Sequence, residues 1–109
     1  MLKKKLPKLN WKISNGLIPA IIQDFKTGKV LMHGFMNKTA LKKTLKEKRV
    51  TYYSRTKKKL WTKGETSGNF QLVKEIFVDC DLDTLLIKVK QIGNVCHTGN
   101  KTCFFRKLK

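Results

Sequence analysis

Apolar positions along the 109-residue chain fall into short runs separated by turn signals, which is the pattern of β-strands. The predicted strands cover residues 17–25, 29–36, 50–55, 70–79 and 85–92, with shorter ones at 60–61 and 103–106. Pro19 puts the start of the first strand at an edge or a bulge, because proline cannot donate a ladder hydrogen bond. The sequence therefore predicts about six or seven short, mostly sequential strands.

One segment has a helical pattern instead. Residues 38–48 place Leu41 and Leu45 four positions apart on one helical face, and Asn37 is a favourable N-cap. The strands and this single helix predict a mainly β (α+β) fold. We expect a small curved-sheet pseudobarrel with the helix over one opening.

Size and composition indicate one domain, since 40% of the residues are hydrophobic and the chain is long enough for a single core. Residues 1–16 are polar and basic and are predicted to form an arm and a loop, in which Trp11 and Ile13 could contact the body formed by residues 17–109. No apolar run approaches the ~20 residues that span a bilayer, and no apolar stretch of a secretory signal follows the basic N-terminus. We therefore expect a cytoplasmic protein with no membrane partner.

The chain carries 25 Lys and Arg against 7 Asp and Glu, a formal net charge of +18 that would attract polyanions. Lysine supplies 22 of the 25 basic residues, whereas base readout and bidentate phosphate contacts favour arginine. The lysines are also spread over the whole chain. The composition therefore does not favour a dedicated nucleic-acid function, although a basic nucleic-acid-binding module with a structural zinc stays the alternative.

Three of the seven acidic residues lie within the pentapeptide at 79–83 (DCDLD). Like charges this close repel each other unless a cation or basic neighbours compensate for them. The cluster is therefore either a cation site or a group of solvated acids that face lysines. An EF-hand calcium loop is excluded, because Thr84 and Lys90 occupy the positions that require glycine and glutamate.

Strand geometry limits how the three acids could bind one cation. On a strand, Asp79, Asp81 and Asp83 would point one way and Cys80 the other. The Cα atoms of Asp79 and Asp83 would then be ~13 Å apart, at roughly 3.3 Å per residue. Either the chain bends near Asp81, as we expect, or one carboxylate reaches the cation through water, which is common for magnesium.

The three cysteines, Cys80, Cys96 and Cys103, lack the paired Cys-x-x-Cys spacing of a closed zinc site. Three thiolates are nevertheless the number required by a zinc that keeps its fourth position open to water. Three unrelated buried cysteines are the alternative, and the spacing alone favours it. His97 directly follows Cys96 and is a metal ligand, a general base or a turn cap.

Four motifs follow one another in the second half of the chain: residues 61–69 (WTKGETSGN), 79–83 (DCDLD), 96–99 (CHTG) and 103–106 (CFFR). In this order they closely resemble phosphoribosyl-AMP cyclohydrolases, and the resemblance extends from about residue 17 to residue 106. It implies an enzyme of histidine biosynthesis that hydrolyses the N1–C6 bond in the adenine ring of 1-(5-phosphoribosyl)-AMP. A second domain for the pyrophosphohydrolase activity that is sometimes fused behind this one is not expected here, so ring opening is the one activity implied.

The same resemblance implies two metals and a homodimer. The zinc (Zn²⁺) ligands would be Cys80, Cys96 and Cys103, and the magnesium (Mg²⁺) ligands would be Asp79, Asp81 and Asp83. The zinc site would be shared between the two subunits. A zinc nucleobase deaminase is not supported, because its His-x-Glu and Pro-Cys-x-x-Cys motifs are missing from the sequence.

In the implied reaction, zinc-activated water attacks the purine with magnesium assistance. His97 is the first candidate for the base that takes the proton of this water, and Glu65 is a weaker candidate. The two phosphates of the nucleotide require cationic and backbone N–H donors. The candidate substrate-binding residues are Arg55, Lys63, Gly64, Thr66, Ser67, Gly68, Asn69 and Arg106.

Overall fold

The structure is a computed structural model that describes residues 8–12 and 15–109. In that part of the chain it has six strands and one helix, which confirms the predicted mainly β (α+β) class. The elements are β1 (Ile18–Asp24), β2 (Val30–Met36), α1 (Lys38–Glu47), β3 (Thr51–Ser54), β4 (Lys59–Thr62), β5 (Gln71–Val78) and β6 (Leu85–Gln91). No helix among the described residues is long and apolar enough to cross a membrane.

The strands form two sheets. Sheet A has the order β2-β1-β6-β5, and sheet B is the hairpin of β3 and β4. Neighbouring strands of sheet A are antiparallel except β1 and β6, which run parallel at its centre. Sheet B is fastened to sheet A by the buried side chain of Tyr52, whose hydroxyl donates a hydrogen bond to Gln71 Oε1 (2.5 Å). The β5–β6 hairpin lies at one edge of sheet A. The turn that connects its strands is at one end, and the loops that precede β5 and follow β6 are at the other.

The core lies mainly on β1 and β6, where alternate side chains are buried. Ile18, Ala20 and Ile22 of β1 are fully buried, and so are Ile87 and Val89 of β6. This alternation is the pattern that predicted the strands.

Helix α1 begins as predicted. The side chain of Asn37 caps it by accepting a hydrogen bond from Ala40 N (2.8 Å). Ala40 and Thr44 are buried, whereas Leu41 is partly buried against the core and Leu45 is 43% exposed. The hydroxyl of Thr44 accepts a hydrogen bond from Thr51 N (3.0 Å) and holds the helix to β3.

The predicted strand at 103–106 does not form. Cys103 N donates to Leu31 O (2.7 Å), which is the only backbone hydrogen bond that this segment makes to β2 within the described residues. Phe104 N donates to the hydroxyl of Thr102 (3.1 Å), which is a local bond and not a bond to another strand. Cys103 is thereby held against β2 while Phe104 and Phe105 extend into solvent.

The described part of the N-terminal arm contacts the body. Leu9 and Trp11 pack against the core, and Asn10 N donates to Leu82 O (2.7 Å). The predicted contact of Trp11 is confirmed, whereas residues 1–7 and Ile13 lie outside the described residues.

Candidate active site

The acidic motif lies in the turn between β5 and β6. Strand β5 ends at Val78, and Asp79 N donates to Thr84 O (3.0 Å) across the turn. The carboxylate of Asp79 accepts hydrogen bonds from Asp83 N (3.0 Å) and Thr84 N (3.1 Å). The expected bend is confirmed, whereas the expected alternation of aspartates and cysteine along a strand is wrong, because the strand ends before the motif begins.

The turn brings the three carboxylates together. One oxygen each of Asp79, Asp81 and Asp83 lies within 4.8 Å of the others. Oxygens bound to one Mg²⁺ or Ca²⁺ at about 2.0–2.6 Å have similar mutual distances, so the geometry fits a hard cation.

Charge in this turn also fits a cation. Loss of solvation raises the pKa of Asp83, and the neighbouring Asp79 carboxylate raises it further. Loss of solvation would likewise raise the pKa of Asp79, but hydrogen bonds from the Asp83 and Thr84 backbone outweigh it and lower that pKa. A bound cation would relieve the repulsion that opposes ionisation of Asp83.

Two of the three cysteines meet at another place. Cys96 lies in the loop after β6, and its sulfur accepts a hydrogen bond from the Thr98 hydroxyl (3.1 Å), which lowers the pKa of the thiol. Burial raises the pKa of Cys103, and the neighbouring Cys96 adds to that effect. Each sulfur thus influences the other, and the charge of Lys63 acts on both. Together they form a thiol pair, Cys96 and Cys103.

A cavity of about 360 Å³ opens beside the thiol pair. It is lined by Cys96, His97, Thr98, Cys103, Phe104, Phe105 and Arg106. The structure therefore brings the predicted base His97 and the predicted phosphate ligand Arg106 to the two cysteines. The sequence interpretation had given no role to Thr98, although a hydroxyl two positions after a cysteine is a recognisable signal for a thiolate hydrogen bond.

Cys80 does not join the thiol pair. It is exposed in the acidic turn at one end of the β5–β6 hairpin, whereas Cys96 follows the opposite end, where Gln71 pairs with Gln91. Six residue steps along β6 separate these ends by about 20 Å, at roughly 3.3 Å per residue. Among the residues that the structure describes, the aspartates are the one group of three or more potential metal ligands that converges. The proposed set of three thiols is therefore not assembled within one chain.

The glycine-rich loop of residues 63–70 borders the cysteine loop. Gly64 has a φ of 90°, and a Cβ there would lie 2.5 Å from the backbone of Asn69 and Phe70, so the turn requires glycine. The side chain of Asn69 packs against Gly93, where a Cβ would lie 2.3 Å from Asn69 Oδ1. Asn69 thus contacts the segment that leads to Cys96.

The other side of this loop faces a second cavity, of about 500 Å³. Its lining residues are Ser54, Lys57, Lys59, Trp61, Glu65 and Thr66. Glu65 and Thr66 were predicted from the sequence, but Ser54, Lys57 and Lys59 were not. For Lys57 and Lys59 the signal in the sequence was the basic run at residues 57–59.

The remaining predicted residues have separate positions. The guanidinium of Arg55 lies 3.9 Å from the centre of the Phe35 ring. Ser67 and Gly68 form the exposed tip of the glycine-rich loop. The ammonium of Lys63 donates a hydrogen bond to the carbonyl of Val95 and does not line either cavity.

Neighbouring thiols, an imidazole and basic side chains on loops held by a sheet are typical of an enzyme. Comparison with known proteins also indicates an enzyme. The family model of phosphoribosyl-AMP cyclohydrolase matches residues 32–105. A relative from Clostridium botulinum (strain Alaska E43 / Type E3) named phosphoribosyl-AMP cyclohydrolase is 54% identical over 107 residues, which are 98% of this chain and 98% of the relative. One of the same name from Clostridium beijerinckii is 52% identical over 105 residues, 96% of each chain.

A longer relative matches as well. The histidine biosynthesis bifunctional protein HisIE of Buchnera aphidicola subsp. Schizaphis graminum is 62% identical over 105 residues, which are 96% of this chain and 51% of that protein. The chain thus spans about half the length of this bifunctional relative. The matches define a cyclohydrolase, a class of hydrolases. The chain belongs to the phosphoribosyl-AMP cyclohydrolase family.

Proposed function

We propose that the chain opens the adenine ring of 1-(5-phosphoribosyl)-AMP by hydrolysis of the N1–C6 bond, in histidine biosynthesis. Membership of the family supports this substrate. The observation that carries the chemistry is the cavity in which His97 and Arg106 lie beside the thiol pair. The substituted N1 makes C6 electrophilic, so the protein mainly has to orient the ring and a water molecule.

Zinc would be held by Cys96 and Cys103 of one chain and by Cys80 of a second chain. The distance of about 20 Å between the two ends of the β5–β6 hairpin supports this division, because it keeps Cys80 away from the two other cysteines of the same chain. When bound, zinc on three thiolates supplies a water molecule acidic enough to react near neutral pH.

A homodimer with twofold symmetry would complete two such sites, each between the acidic turn of one chain and the thiol pair of the other. Exposed aromatic side chains flank both halves of the site. Phe77, near the acidic turn, is 47% exposed, and Phe104, next to Cys103, is 61% exposed. A second chain that packs at these two places would cover these side chains.

His97 is the proposed base. Its imidazole lines the cavity of the thiol pair, and an imidazole can accept a proton at neutral pH. Glu65 lines the other cavity of the same chain, so it stays the weaker candidate.

The phosphates would be bound by basic and hydroxyl side chains on the two loops. Arg106 is positioned in the cavity of the thiol pair, while Thr66 faces the second cavity together with Lys57 and Lys59. Arg55 and the exposed backbone of residues 66–68 are further candidates. Mg²⁺ on Asp79, Asp81 and Asp83 would neutralise the acidic turn next to Cys80.

The test is to supply phosphoribosyl-AMP to the zinc- and magnesium-loaded protein and follow the ultraviolet absorbance change on ring opening. We expect turnover that a zinc chelator abolishes and added zinc restores. Cys96→Ser should lose tight zinc binding and turnover together, whereas His97→Ala should lower turnover by at least about 100-fold and leave zinc bound. Absence of turnover in the loaded wild-type protein would contradict the proposed function.

A further inference from the structure

Lys63 differs from the other lysines in what its side chain contacts. It is half-buried, and its ammonium donates a hydrogen bond to the carbonyl oxygen of Val95. Among the lysines at positions 8–12 and 15–109, it is the one whose ammonium bonds to another group of the protein. Ordering a long lysine side chain costs conformational entropy, so a fixed lysine calls for a physical reason.

Both ends of this contact are anchored. The backbone N–H of Lys63 donates to Val50 O (3.0 Å), and its ammonium lies 6.0 Å from the centre of the Trp61 ring. Trp61 stacks on the buried ring of Tyr52 at a centroid distance of 4.8 Å. Val95 is buried in the core, with 1% of its surface exposed. The hydrogen bond therefore joins the end of β4 to the start of the cysteine loop.

The contact also orders the backbone next to the thiol pair. Val95 directly precedes Cys96, so the hydrogen bond from Lys63 holds the residue that leads to the first thiol of the pair. Zinc requires its ligands at defined positions, and groups that are not ligands themselves often orient them. Lys63 can therefore orient the loop that carries Cys96 without contacting the metal.

We propose that Lys63 is a positioning residue for the zinc ligands, which holds the Val95–Cys96 segment against sheet B. This inference rests on the proposed zinc role of Cys96 and Cys103. It gives Lys63 a different function from the phosphate contact predicted by the sequence, and the two functions affect different measurements.

The test compares Lys63→Met with Lys42→Met, which removes an exposed lysine from α1 and serves as the charge-matched control. Zinc affinity is measured by competition with a chromophoric chelator, and KM for phosphoribosyl-AMP is measured at saturating zinc. We expect Lys63→Met to weaken zinc binding at least about tenfold, as is usual when a partner of metal ligands is lost, with KM changed less than about threefold. Lys63→Arg should recover most of the affinity, and Lys42→Met should match the wild type.

Hydrogen exchange of the zinc-free protein separates this inference from the proposed function. The Cys96 amide, which donates to Asn100 O, should exchange faster in Lys63→Met than in the control. If the wild type neither binds zinc nor turns over substrate, the proposed function fails, and exchange at Cys96 alone decides whether Lys63 positions the loop. If Lys63→Met does not fold, Lys63→Ala, which also removes the donor, replaces it with the same expected directions.

Unchanged zinc affinity in Lys63→Met together with a raised KM would overturn the proposal and assign Lys63 to the substrate. Unchanged exchange at the Cys96 amide would overturn it as well.

Discussion

Single residues decide whether the acidic motif can act as a cation site. Leu82 adopts a φ of 63°, a conformation that non-glycine residues seldom adopt, and this reverses the chain within the turn. The Asp79 carboxylate stabilises the reversal through the amides of Asp83 and Thr84. Asp79 therefore has two roles, as a turn cap and as a proposed ligand.

These roles can be separated by two substitutions. Asp79→Asn keeps an oxygen acceptor for the turn and removes the charge, whereas Asp79→Ala removes both. Both variants should bind Mg²⁺ at least about tenfold more weakly, since a hard cation depends on charged oxygen ligands. Only Asp79→Ala should also lower the Tm.

Calorimetric titration with Mg²⁺ and thermal unfolding in its absence measure the two effects. Equal Mg²⁺ affinity in Asp79→Asn and the wild type would argue against the magnesium role.

Single residues also add to what the apolar pattern of the sequence predicted. Leu41 and Leu45 share a helical face, but the hydroxyl of Thr44, which accepts a hydrogen bond from Thr51 N, holds α1 to β3. The predicted C-terminal strand does not form, and there the hydroxyl of Thr102 accepts from Phe104 N and donates to the backbone of β2. In both cases one hydroxyl competes with a pattern that counts only apolar positions.

At the scale of elements, the hairpins were predictable because their strands are adjacent and their turns carry local signals. The turn between β1 and β2 is an example: the carboxylate of Asp24 accepts hydrogen bonds from Thr27 N (2.7 Å) and from the Thr27 hydroxyl (2.8 Å). These bonds lower the pKa of Asp24 below its usual value of 3.8.

A lowered carboxyl pKa means that the hydrogen bonds stabilise the folded state above the usual pKa and lose this effect as pH falls through the folded value. Asp24→Ala should therefore reduce the free energy of unfolding by about 1 kcal/mol at pH 7, a value discounted for the solvent exposure of the turn. The difference in the free energy of unfolding between Asp24→Ala and the wild type should decrease below about pH 4.

Urea unfolding at pH 7 and pH 3 measures this difference in the free energy of unfolding. Asp24→Asn is the control variant, because it keeps a hydrogen-bond acceptor. A difference that grows at the lower pH would contradict the role assigned to Asp24.

At the scale of the whole molecule, the order of strands in sheet A determines which functional residues meet. The β5–β6 hairpin holds Cys80 at one end and the loop of Cys96 at the other, whereas Cys103 is held by Leu31 of β2. A site that needs all three cysteines consequently requires a second chain.

Mixed dimers provide the test. We expect Cys80→Ser and Cys96→Ser each to lack tight zinc binding, but their equimolar co-refolded mixture to recover about a quarter of the wild-type sites. Half of the randomly formed dimers are mixed, and each mixed dimer has one intact site of two. Zinc content and turnover both report the recovery.

The matched control is a mixture of Cys96→Ser and Cys103→Ser. Both substitutions lie in the same half of the site, so this mixture should recover no zinc sites. Equal results for the two mixtures would exclude a shared zinc site.

The sequence by itself determined the six strands that form, the helix, the residue types of the site and the family, because side-chain alternation, turn residues and motifs are local properties. Only the tertiary structure decided that the three carboxylates converge, that Cys96 meets Cys103 without Cys80, and that Lys63 reaches Val95. These results depend on backbone angles in one turn and on the pairing of strands far apart in sequence, which no local pattern specifies.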